Sequence, residues 1–396
     1  MATRFFWIGI ALLMLPSLVQ AYLLMPFPGS QDLEVITITY YLQAIILPFR
    51  VLGLLCLVPS MWYIFTKGSK KLRIVAGAVL AVCAGLFYFS DVEYKAEQMF
   101  EEPQHIRFES ADDNKVPDSL LVMGLVYDGN AKAYPVNYIG YHHKVQDIVG
   151  TLPILVTYCT MCRTGRVYSP VVNGKLQAFR LVGARHYNAV IEDADTKSWW
   201  YQATGEAVTG ELKGSQLKDI DFEQMPLKTW LQRHPTSLIL QPDSAYLEEY
   251  DQLKRYDRRQ RKDEDSLTNP DKFWRKSWVL GLTVNKQAKA YEWKKLQKVS
   301  LVNDVVASKN IVVGIEPDGF SFHAFERNID GQVLDFVIDN ATEGFRDKTT
   351  NSTWNWQGKC VSGSLKDKKL NRIQAYQEYW LSWEHFHKPT LLWPGK

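Results

Sequence analysis

One stretch of sequence that occurs twice decides the fold of the water-soluble part of this chain. It is VMGLVYDGNAKAY at residues 122–134 and VLGLTVNKQAKAY at residues 279–291, a separation of 157 residues. Farther along the chain the separation falls to 153, where Trp230 matches Trp383. About a dozen matches in order, interrupted by one small gap, predict a duplicated unit of roughly 120 residues.

Each copy is predicted to be rich in β-strands. Short apolar runs at residues 154–158 and 311–315 are bounded by turn residues, as is typical of buried strands. Glycine-containing turns follow at residues 173–174 and 330–331 and predict hairpins. The end of each copy has a helical pattern. We therefore predict an α+β fold, with a β-rich soluble domain that is built from two internally repeated units.

Three apolar segments precede this domain, at residues of about 5–24, 36–65 and 74–89. A bilayer core requires roughly 20 apolar residues per helix, so each segment is long enough for a transmembrane helix. The loop at residues 67–73 is strongly basic, and basic loops remain in the cytoplasm. The chain is therefore predicted to be an integral protein of the cell (inner) membrane, with everything after Ser90 extracytoplasmic, that is, periplasmic.

Two features of the anchor leave alternatives open. Residues 16–21 also resemble a signal-peptide cleavage region, although the apolar sequence that follows favours retention of the first helix. Arg50 is a charge within the second apolar segment, and such charges often have a function. The simpler interpretation is that Arg50 snorkels outward or faces a neighbouring helix.

The predicted order of segments follows from these patterns. It is a membrane anchor at 1–90, a connecting segment at 91–119, a first repeat with the C-x-x-C at 120–240, a charged connection at 241–278 and a second, degenerate repeat at 279–393.

The composition excludes several classes of function. The net charge of the 396 residues is only +3, whereas a nucleic-acid-binding protein is expected to have a concentrated basic face. Five cysteines are too few for a disulfide scaffold. The chain has no G-x-S-x-G, Walker A or G-x-G-x-x-G motif, so hydrolase, kinase and dinucleotide-binding functions have no support.

The strongest candidate for chemistry is the pair Cys159 and Cys162, which a predicted strand delivers into a turn. A C-x-x-C thiolate often has a lowered pKa, which makes it a good nucleophile and metal ligand. Arg163 and Arg166 are expected to favour the thiolate further. In the second copy Glu316 takes the place of Cys159, so the sulfurs are not required for the fold. These four residues of the first copy are our predicted catalytic group.

Three functions remain open at this stage. The first is a redox or thiol-dependent site that uses Cys159 and Cys162. The second is a copper- or zinc-binding module in which His142 and His186 complete the ligand set. The third is a non-catalytic domain that binds a ligand or partner, in which the cysteines form a structural disulfide.

The motifs as a set resemble the prokaryotic family DUF3179. The resemblance covers residues 120–240 well and residues 279–392 more loosely. Members typically have C-P-L-C followed by glycine, whereas this chain has Thr160 and Arg163 at the proline and glycine positions. The family implies the cysteine site and no established reaction. The motifs that carry the resemblance are Ala133-Tyr134-Pro135, His142, Asp147, the run from Val156 to Cys162, Ser198-Trp199 and the run from Gly205 to Gly210.

Overall fold

The computed structural model describes residues 1–254, 256, 275–341 and 343–395. Most of the predicted charged connection, at residues 255 and 257–274, lies outside the described residues. The α-helices of the described part are, in chain order, α1 (Ala2–Leu24), α2 (Ile36–Lys67), α3 (Lys70–Tyr88), α4 (Ala96–Met99), α5 (Val136–His142), α6 (Leu227–Arg233), α7 (Leu247–Gln252), α8 (Trp293–Val299) and α9 (Trp380–Phe386).

Short β-strands make up most of the chain after the helices. In chain order they are β1 (Phe108–Glu109), β2 (Leu121–Tyr127), β3 (Asn130–Pro135), β4 (Lys144–Val149), β5 (Leu152–Cys159), β6 (Thr164–Tyr168), β7 (Val171–Val172), β8 (Lys175–Leu176), β9 (Phe179–Arg185), β10 (Asn188–Asp193), β11 (Trp199–Tyr201), β12 (Ala207–Thr209), β13 (Glu223–Pro226), β14 (Leu238–Leu240), β15 (Trp278–Val284), β16 (Gln287–Glu292), β17 (Leu301–Val306), β18 (Lys309–Ile315), β19 (Phe322–Glu326), β20 (Asn328–Ile329), β21 (Gln332–Val333), β22 (Phe336–Asp339), β23 (Gly344–Asp347), β24 (Thr353–Trp354), β25 (Cys360–Ser362), β26 (Ala375–Tyr379) and β27 (Thr390–Leu392).

The chain divides into two compact units. The first contains Met1–Glu102 and Val171–Leu217, and the second contains Pro103–Pro170 and Lys218–Lys396. The cysteine turn belongs to the second unit.

The first unit contains three helices that are long and apolar enough to cross a membrane, at Ala2–Leu24, Ile36–Lys67 and Lys70–Glu93. The prediction of three apolar helices is confirmed. The third helix begins four residues earlier than predicted because the Ser69 side chain accepts a hydrogen bond of 3.3 Å from the Leu72 N–H. Such a cap satisfies a backbone donor at the helix start, so the polar residues after it become helical.

Arg50 in α2 faces its neighbouring helices. Its guanidinium donates a hydrogen bond of 2.8 Å to Ser17 in α1 and forms an ion pair with Asp91, just beyond α3. A charge in an apolar helix is stabilised by such partners. Of the two forms of the simpler interpretation, the structure shows the one in which Arg50 faces a neighbouring helix.

The first unit also contains a four-stranded antiparallel sheet in the order β12-β11-β10-β9. The buried Arg185 in β9 donates hydrogen bonds of 2.8 Å to the carbonyls of Leu23 and Ser30, at the end of α1 and just after it. Trp199 and Leu24 share one apolar cluster. The sheet is thus fixed to the C-terminal end of α1 by polar and apolar contacts.

The second unit contains two similar groups of sheets. Strands β13, β2, β3 and β14 lie side by side, as do β26, β15, β16 and β27, and in both sets the last pair is parallel and the others antiparallel. Each set has a three-stranded antiparallel companion, β4-β5-β6 or β17-β18-β19. Both sets also contain a glycine, Gly124 or Gly281, under a buried tryptophan: an added Cβ would lie 2.3 Å from Trp230 or Trp383.

Several local predictions are confirmed. The apolar runs form the buried parts of β5 and β18, and the glycine turns join β7 to β8 and β20 to β21. His234 and His387 stack on Trp230 and Trp383, with ring centroids 4.1 and 3.8 Å apart. These two half-buried histidines therefore pack against the buried tryptophans, as expected from their position in the sequence.

Gly363 offers a test of the close packing between a glycine and a neighbouring segment. Its φ is +98°, and an added Cβ would lie 2.6 Å from the Cα and Oγ of Ser352. Gly331, with a φ of +84°, has open space at the same point. We expect Gly331→Ala to destabilise by about 1 kcal/mol through backbone strain, and Gly363→Ala by roughly 2 kcal/mol more through the clash. Melting of the detergent-solubilised chain measures both, and equal losses would contradict the packing argument.

Candidate functional site

The cysteine turn lies between two buried antiparallel strands. Strand β5 ends at Cys159, which pairs with Thr164 at the start of β6. Between them the chain reverses direction, and Arg163 adopts a left-handed conformation with a φ of +58°. Both Cys159 and Cys162 are fully buried and are present as thiols. A two-residue spacing in such a turn brings both sulfurs to the same point, as the sequence predicted.

His143 contacts Cys159. It follows the last residue of α5, has a φ of +62°, and is almost completely buried. Its Nδ1 lies 3.2 Å from the carbonyl oxygen of Tyr141. With the Nδ1–H donated to this carbonyl, the other ring nitrogen can take the proton of Cys159, and the resulting imidazolium donates a hydrogen bond to the thiolate. The structure therefore supplies a buried thiol with a histidine in hydrogen-bonding contact.

The two cysteines have opposite electrostatic environments. Burial by itself would raise the pKa of Cys159, but hydrogen bonds from Cys162 and His143 outweigh it and hold the pKa well below its usual value. Burial, together with the hydrogen bond to Cys159, raises the pKa of Cys162 well above its usual value. The pair therefore favours one thiolate, at Cys159, which receives a hydrogen bond from the neighbouring thiol.

Arg163 and Arg166 contact residues far away in the sequence. The Arg163 Nε donates a hydrogen bond of 2.8 Å to Gln377, and its guanidinium lies 3.6 Å from the ring centre of Trp278. Arg166 forms a buried ion pair with Glu378. That these arginines favour the thiolate stays a prediction, and the hydrogen bonds that lower the pKa of Cys159 come from Cys162 and His143.

Strand β26 completes the wall of the site. The Tyr379 N–H donates a hydrogen bond of 2.9 Å to the carbonyl of Cys162, next to the side chains of Gln377 and Glu378 on the same strand. From another direction, the Tyr256 hydroxyl donates a hydrogen bond of 2.7 Å to the carbonyl of Thr160. The second half of the unit therefore contributes residues to a turn that belongs to the first half.

The histidines proposed as metal ligands lie in other surroundings. The Nε2 of His142 is 2.6 Å from the Tyr250 hydroxyl, within a cluster of aromatic rings. His186 belongs to the first unit, where its Nε2 lies 3.3 Å from a carboxylate oxygen of Glu34. Of the two adjacent histidines, it is thus His143 that contacts Cys159. The predicted ligand set contained His142 and omitted His143.

Comparison with protein families agrees with the motifs. Residues 101–390 match a family described as a protein of unknown function, DUF3179. The chain belongs to this family. No curated protein and no solved structure matches the chain.

The backbone conformation at position 163 explains why the sequence pattern of the family has a glycine there. A left-handed conformation costs a residue with a side chain roughly 1–2 kcal/mol, whereas glycine adopts it freely. In this chain Arg163 occupies that conformation, and its contacts with Gln377 and Trp278 offset the strain. The arginine at this position therefore adds contacts with Gln377 and Trp278, which lie far along the sequence.

Two variants of Arg163 separate strain from contacts. Arg163→Ala removes the hydrogen bond and the cation–π contact and retains the strain, whereas Arg163→Gly removes the contacts and relieves the strain. We expect both to melt below the wild type, with the glycine variant more stable than the alanine variant by about 1 kcal/mol. Thermal denaturation of the two purified variants measures this difference, and an alanine variant as stable as the glycine variant would contradict it.

The sequence contained a signal for His143. Residues 150–151 form a tight connection between β4 and β5, and the register pairs Lys144 with Thr157. Extending this register by one residue places His143 opposite Tyr158, beside Cys159, and the Tyr158 N–H indeed donates a hydrogen bond of 3.0 Å to the His143 carbonyl. No comparable signal in the sequence predicts that β26 contacts the cysteine turn, because the two segments lie far apart along the chain.

Proposed function

We propose that the chain is a membrane-anchored, extracytoplasmic protein with a thiol-disulfide redox site at Cys159 and Cys162. The observation that carries the proposal is the hydrogen-bonded group of His143, Cys159 and Cys162, in which the two thiols have opposite pKa shifts. A nucleophilic thiolate next to a protonated resolving thiol is the arrangement that thiol–disulfide exchange requires.

The proposed reaction is a two-step exchange with a small disulfide. The Cys159 thiolate attacks one sulfur of the substrate, forms a mixed disulfide and releases the first thiolate, which takes up the proton of the His143 imidazolium. The neutral His143 then accepts the proton of Cys162, and the Cys162 thiolate attacks the Cys159 sulfur. The second substrate thiolate leaves and takes up that proton from His143. Two electrons pass from the cysteine pair to the substrate, and a separate dithiol donor must reduce the resulting disulfide for another cycle.

We also propose that the soluble domain arose by duplication, with the second copy retained because it completes the first. The equal strand orders of the two groups and their matched glycine–tryptophan contacts support a duplication. The contacts of Gln377, Glu378 and Tyr379 with the cysteine turn support the retention. A copy that lacks the sulfurs then still contributes to the site.

The extracytoplasmic location in the cell (inner) membrane is part of this proposal. Its support is the basic loop before α3, together with the three apolar helices. A phosphatase fused after Lys396 is expected to be active, because that enzyme requires an oxidising compartment to fold. A phosphatase fusion that is inactive while the protein is present in the membrane would refute the orientation.

A redox titration of the full-length chain in detergent tests the function. We expect the wild type to form one reversible disulfide between Cys159 and Cys162 in glutathione buffers, as detected by peptide mass. Cys162→Ser should trap glutathione on Cys159, whereas Cys159→Ser should trap none. Cys360→Ser is the control, since Cys360 is a buried thiol outside the turn.

Two other outcomes would overturn the proposal. Stoichiometric copper or zinc that is lost in Cys159→Ser would instead support the metal-binding alternative, in which the cysteines and a histidine are ligands. A cysteine disulfide that resists reduction, and whose removal only lowers the melting temperature, would support the structural alternative. Metal content and thiol titre are therefore measured on the same preparation.

A further inference from the structure

The first unit contains a cavity at the ends of its long apolar helices. The cavity measures about 270 Å³, and its wall is formed by α1, α2, the segment that follows α3, and strand β9. All of these elements belong to the first unit. Small-molecule sites commonly measure about 300–1,000 Å³. The cavity is near the lower end of that range, a size suited to the polar headgroup of a lipid rather than to a whole lipid.

The cavity lies at the depth of a headgroup layer. Lys67 ends α2 next to the basic loop, and Arg50, which lines the cavity, precedes it by 17 residues in the same helix. A rise of about 1.5 Å per residue separates the two positions by about 26 Å. Because a bilayer core is roughly 30 Å thick, helices that cross it place Arg50 near the boundary opposite the basic loop. Phospholipid headgroups occupy this boundary.

Arg50 contributes a cation with spare donors to the wall. Its Nη2 makes both of the hydrogen bonds described above, to Ser17 and Asp91. A guanidinium has five N–H groups, and the buried Nε of Arg50 has no hydrogen-bond partner among the residues that the structure describes. An unsatisfied donor is costly where water is scarce. An oxygen acceptor on a ligand would therefore stabilise this group.

Charges of both signs line the rest of the cavity. Arg180 in β9 forms ion pairs with Glu97 and, at 2.8 Å, with the buried Glu192, and both Arg180 and Glu97 remain partly exposed. Lys95 is exposed, and no ion pair involves it in the described part of the chain. Counted with the ion pair on α2, the wall and its partners have three cations and three carboxylates. Such a balanced wall favours neither an anion nor a cation, but it can pair with both ends of a zwitterion.

The cavity also has an exposed apolar side. Leu47 is 69% exposed and Tyr94 is 39% exposed, and both line the cavity. Tyrosine is typical of membrane interfaces, where its ring meets apolar chains and its hydroxyl meets polar groups. The same cavity therefore offers contacts to a polar headgroup and to the acyl chains attached to it.

We propose that this cavity binds the headgroup of a zwitterionic phospholipid with a primary amine, such as phosphatidylethanolamine. The phosphate would accept hydrogen bonds from Arg50 and Lys95, the ammonium would donate to Glu97, and an acyl chain would contact Leu47. A primary ammonium has three N–H donors, whereas the trimethylammonium of phosphatidylcholine has none. The site is separate from the cysteine turn and goes beyond the proposed thiol function.

Native mass spectrometry of the full-length protein in detergent tests the proposal with three lipids. The probes have the same acyl chains and differ in the headgroup: phosphatidylethanolamine, phosphatidylcholine and the anionic phosphatidylglycerol. We expect one molecule of phosphatidylethanolamine to bind about fivefold tighter than either of the others, which is the effect of one charge-assisted hydrogen bond. Equal binding of the three lipids, or tighter binding of phosphatidylglycerol, would overturn the proposal.

Variants locate the binding within the protein. Lys95→Gln and Glu97→Gln should each weaken binding of phosphatidylethanolamine by about fivefold. Lys95 is exposed and outside any described ion pair, so its variant is expected to fold normally. Lys213→Gln, which changes an exposed lysine of the same unit outside the cavity, should have no effect. Unchanged binding in both cavity variants would overturn the proposal.

Two further comparisons separate the proposed contacts from other effects. In Glu97→Gln the preference for phosphatidylethanolamine over phosphatidylcholine should largely disappear, because the ammonium loses its charged acceptor. An equal loss of affinity for both lipids would contradict this contact. Cys159→Ser should bind phosphatidylethanolamine as the wild type does, since the cysteine turn belongs to the second unit.

Discussion

Replacement of His143 with glutamine is expected to slow alkylation of Cys159 at pH 7 by roughly 30-fold or more. In the wild type, hydrogen bonds from Cys162 and His143 outweigh burial and hold the pKa of Cys159 well below its usual value, which raises the fraction of thiolate at neutral pH. In the variant the Cys162 hydrogen bond remains, but burial acts with less opposition and the fraction of thiolate falls towards that of an ordinary thiol, which is about 3% at pH 7. Glutamine keeps a similar volume and removes the base.

The dependence of the alkylation rate on pH shows in which direction His143 shifts the pKa of Cys159. A lowered pKa shifts the labelling profile to lower pH, so the wild-type rate should reach its plateau at a lower pH than the rate of the variant. The rate of the His143→Gln variant should rise with pH through the range above 8. Iodoacetamide labelling, followed by mass spectrometry of the Cys159 peptide, measures both profiles.

His142→Gln is the matched control for this prediction. Its imidazole contacts the Tyr250 hydroxyl, although it is adjacent to His143 in the sequence. We expect its alkylation profile to overlay that of the wild type. A control variant that slows labelling as much as His143→Gln, or a His143→Gln profile identical to that of the wild type, would show that His143 is not the base.

Glu378→Ala is expected to destabilise the second unit by about 3–5 kcal/mol. Arg166 and Glu378 form an ion pair in which both side chains are almost completely buried, and the Arg166 guanidinium also lies 3.5 Å from the ring centre of Tyr376. Removal of one partner leaves a buried charge without compensation, which costs far more than an exposed pair is worth. Chemical denaturation of the purified chain measures the loss.

Replacement of the other partner of the ion pair, Arg166, should be less harmful. Burial raises the pKa of Glu378, and the nearby Arg166 offsets only part of that effect. The carboxyl can therefore take up a proton when Arg166 is replaced, whereas an arginine cannot lose its charge. We expect Arg166→Met to cost less than Glu378→Ala, and the double variant Arg166→Met with Glu378→Met to recover part of the loss. Additive losses in the double variant would contradict a direct interaction.

Much of the fold was predictable because it depends on local patterns. Helices α1 and α2 and the buried strand β5 follow from apolar runs of the appropriate length. The start of α3 was missed because its first turn is polar, and a serine cap rather than hydrophobicity begins it. The cysteine turn was also predicted, since two thiols three residues apart after a strand meet in any tight turn.

The remaining parts of the site depend on contacts across long sequence separations. Position 143 was one residue away from the predicted ligand, and the change from α5 to β4 determines which of the adjacent histidines points to Cys159. The side chains of Gln377 and Glu378, which accept hydrogen bonds from Arg163 and Arg166, lie more than 200 residues away, on β26. No periodicity within either segment indicates such a pair.

The sequence by itself determined the apolar helices, the doubled strand pattern and the position of the thiol pair, because each depends on residues that are close together in the chain. Only the tertiary structure decided which histidine contacts Cys159, which cysteine has the lowered pKa and which strand completes the wall. These depend on burial and on hydrogen bonds between distant segments, and those interactions exist only once the strands have packed together.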